Sequence, residues 1–68
     1  MNDETLNLSI RKFLKMVGIN SQRAIEQAVS RASSDGRIAG TEAFPATVRL
    51  EVPGLGIDVV FEGKIELQ

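Results

Sequence analysis

The chain has 68 residues, of which 43% are hydrophobic and 25% are charged, with a formal net charge of −1. This length accommodates one small domain, residues 1–68, and the composition is too hydrophobic for a disordered segment. Cysteine and histidine are both absent. Their absence excludes disulfides and thiol redox chemistry, makes a zinc site unusual and removes the commonest general base. We therefore expect a protein that is not an enzyme and has no catalytic residues, metal site or cofactor.

The N-terminal sequence does not resemble a secretory signal. It begins Met1-Asn2-Asp3-Glu4, which is acidic where a signal peptide is basic and then apolar. The longest aliphatic or aromatic run is Val59-Val60-Phe61, whereas a membrane span needs about 20 residues. We expect a cytoplasmic protein with no membrane association.

The first half of the chain predicts two helices, over about 4–17 and 21–34. Each has an apolar stripe at helical spacing. Gly18 is typical of a helix C-cap, and Asn20 or Ser21 would begin the second helix. A link this short predicts an αα-hairpin. The stripes consist of Leu6, Ile10, Phe13, Leu14 and Val17, and of Ala24, Ile25, Ala28, Val29 and Ala32.

The second half predicts an antiparallel hairpin with strands over about 46–52 and 57–67, because apolar residues there alternate with polar ones. A four-residue loop at 53–56 would set Val52 opposite Ile57, and it would also set Glu51 opposite Asp58. A two-residue Pro-Gly loop would pair Arg49 with Asp58 instead, but such turns twist the wrong way for a hairpin. We therefore expect the longer loop.

Smaller features complete the predicted fold. Gly54 would take the positive φ of a type II turn, and Gly63 marks a bulge in the last strand. Residues 37–39 are a candidate third strand. The predicted fold class is α+β, with two N-terminal helices (an αα-hairpin) packed on one face of a small two- or three-stranded antiparallel sheet.

The first candidate interaction surface lies on the first helix, opposite its apolar stripe. Residues 1–40 hold six basic groups against four acidic ones, and residues 41–68 hold two against five. At 100° per residue one arc of the helix would present an apolar side chain among three cations. An acidic partner or a nucleic-acid backbone could bind such a surface. We define this basic surface as Leu8, Arg11, Lys12 and Lys15.

The second candidate is the edge of the sheet. A last strand reaching residue 67 would be longer than its partner and would leave backbone groups unpaired near Ile65 and Leu67. A second copy of the chain, or an extended segment of another protein, could pair there by strand addition. A homodimer is therefore one expectation.

Two helices and a hairpin also suggest a winged helix-turn-helix protein. The recognition helix would begin at Ser21, and the loop at 53–56 would be the tip of the wing. That tip carries neither Lys nor Arg, and the chain's pI is about 5.3. We therefore expect a protein–protein interaction module, with a nucleic-acid-binding regulator as the alternative.

Several segments together resemble a family of small bacterial proteins known only as a domain of unknown function. The resemblance implies a bacterial, stand-alone domain and carries no activity or site residues. The segments are Asn7-Leu8-Ser9-Ile10-Arg11-Lys12-Phe13-Leu14-Lys15, Val17-Gly18-Ile19, Ser21-Gln22-Arg23, Phe44-Pro45-Ala46, Pro53-Gly54-Leu55-Gly56 and Glu62-Gly63-Lys64-Ile65-Glu66-Leu67.

Overall fold

The computed structural model describes all 68 residues as one long helix and one β-hairpin. The helix α1 spans Asp3–Ser34, and the strands β1 and β2 span Ala43–Val52 and Ile57–Glu66. A single 3-10 turn, Pro53–Leu55, joins the strands. The chain divides into two compact units, Met1–Asp35 and Gly36–Gln68. The chain therefore contains both a helix and an antiparallel sheet, which confirms the predicted α+β class.

Both ends of α1 are closed by hydrogen bonds to groups that the helix leaves unpaired. At the start, the Asn2 side chain accepts a hydrogen bond from the Thr5 backbone N–H at 3.1 Å, as an N-cap residue does. At the end, the Asp35 backbone N–H donates to the Arg31 carbonyl at 3.0 Å. Gly36 follows with φ of 72°, a left-handed conformation that glycine adopts without strain.

The predicted αα-hairpin is wrong, because α1 continues through residues 18–21 without a break. Gly18 is not among the glycines with positive φ, so it does not act as a C-cap. The Asn20 side-chain amide donates to the Met16 carbonyl at 2.9 Å, a bond made within the helix. A glycine inside a helix costs only about 1 kcal/mol relative to alanine, which a 32-residue helix tolerates.

The apolar stripes that we predicted for two separate helices form a single stripe along α1. Residues on it recur at intervals of eleven, which keeps them in phase on a nearly straight helix. Leu6, Val17 and Ala28 follow one such series, and Phe13 and Ala24 follow another. The stripe runs from Leu6 to Ala32, along about 39 Å of helix, and changes from large side chains in the first half to mostly alanine in the second.

The predicted hairpin register is confirmed. Val52 pairs with Ile57 and Glu51 with Asp58, in an antiparallel ladder that continues without interruption to Ala43 and Glu66. Gly56, with φ of 66°, takes the left-handed conformation that we expected of Gly54, because the loop closes as a 3-10 turn and not as a type II turn.

The predicted bulge and third strand are both absent. Gly63 pairs one-to-one with Ala46, so no extra residue is inserted. Residues 37–39 lie in the connection between α1 and β1, and the sheet has two strands. The Ala39 and Gly40 backbone N–H groups both donate to the Glu42 carboxylate, at 2.8 Å, so these donors are not available to a third strand.

Gly18→Ala distinguishes one continuous helix from two. In a continuous helix the substitution raises the free energy of unfolding by roughly 1 kcal/mol, and an added Cβ at this position meets no atom within 4 Å. At a left-handed C-cap the same substitution would lower it. Urea denaturation followed by circular dichroism at 222 nm measures the difference, and a destabilised variant would contradict the continuous helix.

Candidate interaction surfaces

The basic surface lies on one side of α1. Leu8, Arg11, Lys12 and Lys15 fall within an arc of about 100° at the usual helical rotation, and Leu8 is 62% exposed. None of the three cations forms an ion pair with a carboxylate. The side chains are thus together and accessible on the first half of the helix.

The apolar stripe of α1 is also open. Leu6, Ile10 and Phe13 are each between 44% and 47% exposed, which is high for the inward side of an amphipathic helix. Val17 and Ala32 are half-buried, and no residue of the helix is fully buried. The helix therefore presents two different exposed surfaces, one apolar and one basic.

One face of the hairpin is entirely apolar. The pairing of β1 with β2 places the even-numbered residues of β1 and the odd-numbered residues of β2 on the same face. Phe61 is 57% exposed and Val48, opposite it, is 50% exposed. No polar side chain interrupts this apolar hairpin face, which consists of Phe44, Ala46, Val48, Leu50, Val52, Ile57, Val59, Phe61, Gly63 and Ile65.

The opposite face of the hairpin is mostly charged, and Arg49 organises it. Its guanidinium donates two hydrogen bonds to Asp58, at 2.8 and 2.7 Å, and lies 3.5 Å from the Glu51 carboxylate. Asp58 is the diagonal neighbour of Arg49 across the ladder, within reach of a long side chain. The unfavourable pairing of Glu51 with Asp58 is therefore neutralised by a cation between them.

These contacts change the proton affinities of both partners. The hydrogen bonds from Arg49 lower the pKa of Asp58 from its ordinary value of 3.8, and the same contact raises the pKa of Arg49. In the connection, the Ala39 backbone N–H is the largest cause of a lowered pKa at Glu42, with the other N–H groups around that carboxylate adding to it.

The two edges of the hairpin can be told apart by one hydrogen bond. The Leu67 backbone N–H donates to the Glu42 carbonyl at 3.0 Å. Along an antiparallel ladder, residue pairs that exchange backbone hydrogen bonds alternate with pairs that do not. Leu67 and Glu42 form a hydrogen-bonded pair, so the odd-numbered residues of β2 direct their backbone N–H and C=O groups towards β1. The even residues of β2 direct theirs outwards, where the sheet has no further strand.

Ile65 and Leu67 are therefore not the open part of the edge. Ile65 pairs with Phe44 and Leu67 bonds to Glu42, because β1 begins earlier than the sequence pattern indicates. Both side chains are half-buried. The backbone groups free to pair with another strand belong instead to the outer edge of β2, which we define as Asp58, Val60, Glu62, Lys64 and Glu66.

The outer edge of β1 differs from that of β2 in one respect. By the same alternation, the nitrogen of Pro45 points outwards from β1, and proline has no N–H to donate. Proline on an edge strand is a common device against unwanted pairing. The β1 edge is therefore interrupted near one end, whereas the β2 edge has a donor and an acceptor at every outward position.

The sequence contained signals for two of these features. The eleven-residue spacing that runs across Gly18 indicates a single helix, and Pro45 indicates an edge strand that begins before residue 46. The ion pair between Arg49 and Asp58 requires the diagonal geometry of the ladder, which direct cross-strand pairing alone does not reveal.

Arg49→Ala tests the neutralising role of this arginine. The pKa of Asp58 should rise towards its ordinary value, because its donor is removed and Glu51 remains opposite. Since the pKa of Asp58 is lowered in the folded chain, the stability it contributes is present above its unfolded pKa and is lost as pH falls through the folded pKa. NMR titration of the Asp58 carboxyl carbon measures this pKa in the unmodified chain and in the variant. Lys64→Ala is the matched control on the same face.

An unchanged Asp58 titration in Arg49→Ala would show that the ion pair does not set this pKa. A shift of equal size in Lys64→Ala would assign the effect to the general charge of the face and not to Arg49.

No group of three or more acidic side chains comes close enough together to hold a metal ion. No helix combines the length and apolar character that crossing a membrane requires.

Comparison with known proteins identifies a family and nothing further. The family model described as "Family of unknown function (DUF6494)" matches residues 1–68, which confirms the resemblance to an uncharacterised family. No curated protein and no solved structure matches the chain significantly.

Proposed function

We propose that this chain, which belongs to the family of unknown function DUF6494, is a non-enzymatic protein–protein interaction module. Family membership supplies no activity. The proposal is supported by one observation, which is that no hydrophobic residue of the chain is buried. The apolar side chains needed for a core are present, but they lie on surfaces that another polypeptide could cover.

Neither element has enough partners of its own to bury its apolar side. A helix gains most of its stability by packing its apolar stripe against other structure, and a two-stranded hairpin is marginal in water by itself. Leu14 on the helix and Phe61 on the hairpin are each about half exposed, so each unit has large apolar side chains that it does not bury. Burial against a partner would supply the missing hydrophobic free energy.

The residue types support binding over catalysis. The remaining reactive groups are hydroxyls, carboxylates, Lys and Arg, and no cysteine or histidine is available to activate a nucleophile. The carboxylates with shifted pKa values, Glu42 and Asp58, are shifted downwards. Each is held ionised by local hydrogen bonds, opposite to the raised pKa of a carboxyl general acid.

The basic surface on α1 offers a second place for a partner. Its three cations lie on the C-terminal side of the exposed side chain of Leu8, so an acidic protein with one apolar contact would fit it. Leu8→Asp should abolish such binding, and Arg11→Ala with Lys15→Ala should weaken it and reduce its salt dependence.

Nucleic-acid binding is the alternative, and it now rests on the basic surface alone. The winged-helix arrangement requires a turn before the recognition helix, and α1 has no turn there. In NMR titration with a generic duplex DNA at low salt, we expect no shifts. Shifts on residues 8–15 that disappear as salt is added would favour the alternative.

The proposal predicts how the isolated chain behaves on dilution. If its apolar surfaces are covered by another polypeptide, cooperative thermal unfolding should disappear when that polypeptide dissociates. Circular dichroism over a dilution series, with the mass measured by light scattering, tests this expectation. A monomer that unfolds cooperatively, with a melting temperature independent of concentration, would overturn the proposal.

A further inference from the structure

We propose that the outer edge of β2 pairs with the same edge of a second copy of this chain, forming a four-stranded antiparallel sheet around a two-fold axis at Gly63. This inference rests on the proposed function and names its partner. Its support comes from the unpaired backbone of β2, the charges along that edge and the side chain missing at Gly63.

Only one edge of the hairpin can pair along its whole length. Every outward position of β2 can both donate and accept a hydrogen bond, whereas Pro45 removes a donor from the outer edge of β1. A chain with two competent edges would add copies without end, since edge-to-edge contacts of different surfaces do not close. One competent edge gives a closed dimer.

The charges along the outer edge of β2 are complementary in a single register. When Gly63 lies opposite its own copy, Glu62 lies opposite the second copy's Lys64, and Lys64 opposite the second copy's Glu62. Two equivalent ion pairs then flank the axis, and cross-strand pairs of opposite charge are favourable. No two like charges are directly opposed, because Val60 faces Glu66 and Asp58 faces Gln68.

Neighbouring registers are less favourable. With the two-fold axis at residue 62, Glu62 would face Glu62 of the second copy and Asp58 would face the second copy's Glu66. Both pairs are repulsive. Moving the axis to residue 61 pairs Lys64 with Asp58, but Asp58 is already bound by Arg49 at 2.7 Å. The register centred on Gly63 leaves that ion pair intact.

The apolar hairpin face would continue across the two copies. In the register centred on Gly63, Phe61 lies opposite the second copy's Ile65 and Val59 opposite the second copy's Leu67, on the same side as the apolar face of each hairpin. The two apolar faces therefore join into one continuous surface. Directly opposed side chains are the closest contacts in a sheet, and here all of them are aliphatic or aromatic.

Gly63 itself is explained by this arrangement. The ladder shows no bulge there, and Gly63 has no positive φ, so the hairpin alone gives no reason for a glycine. A glycine inside a strand often marks the close approach of another backbone. At the axis, two glycines would meet at a non-hydrogen-bonded position, where Cα atoms are only about 4.5 Å apart.

A single cysteine tests the axis directly, because the chain has no cysteine of its own. Gly63→Cys should form a disulfide-linked dimer on mild oxidation, since a Cα separation of about 4.5 Å lies within disulfide range. A Cβ at this position meets no atom within 4 Å in the single chain. Ala46→Cys is the matched control, because Ala46 is the cross-strand neighbour of Gly63 and lies away from the axis.

A charge exchange tests the register without a crosslink. Glu62→Lys and Lys64→Glu should each raise the dimer dissociation constant by roughly tenfold, because each substitution places like charges opposite each other at two positions. The double variant restores opposite charges at both positions and should restore the dissociation constant. Within one chain these residues face Thr47 and Pro45, so the hairpin loses no ion pair. Sedimentation equilibrium of the full chain measures the constants.

The outcomes separate this inference from the proposed function. Crosslinking of Gly63→Cys together with rescue by the double charge exchange supports the inference. A dimer in which Ala46→Cys crosslinks, or in which the double exchange fails to restore affinity, overturns it and leaves the interaction module standing. A chain that stays monomeric at all concentrations also overturns it, and cooperative unfolding of that monomer overturns the proposed function as well.

Discussion

The apolar side chains of this protein are divided between a helix and a hairpin, neither of which can enclose them within itself, and the rest of its behaviour depends on that division. The helix has one apolar stripe along its length, and the hairpin has one apolar face. A short chain already buries a smaller fraction of its surface than a long one. No disulfide can compensate, because the chain has no cysteine. We infer that burial against another polypeptide supplies the missing stability, which then depends on concentration.

The charged face and the two edges of the hairpin decide where the association that we propose would occur. Arg49 neutralises the two carboxylates that the register brings together, so the strands retain the pairing that gives the hairpin one entirely apolar face. Pro45 interrupts the outer edge of β1, and the outer edge of β2 carries Glu62 and Lys64, which are complementary to a copy of themselves in the proposed register. Specificity of this kind comes from combining an attractive edge with a blocked one.

The extent to which the fold could be predicted from sequence differs between the two units. Alternation of apolar and polar residues has a period of two, and a shift of one residue would turn every apolar side chain to the other face. The register of Val52 with Ile57 was therefore predictable. Which part of the sheet edge is open could not be predicted in the same way. It depends on where β1 begins, and that depends on whether Pro45 can occupy an outward position in the ladder.

The sequence by itself determined the α+β composition, the apolar face of the hairpin, the clustering of cations opposite the helical stripe and the absence of thiol and imidazole chemistry. These follow from residue types and periods that do not depend on distant contacts. Only the three-dimensional structure decided whether Gly18 ends a helix, which glycine of the loop takes a positive φ, and which partner Arg49 binds. In each case local preferences differ by about 1 kcal/mol, so neighbouring geometry, and not the residue alone, selects the outcome.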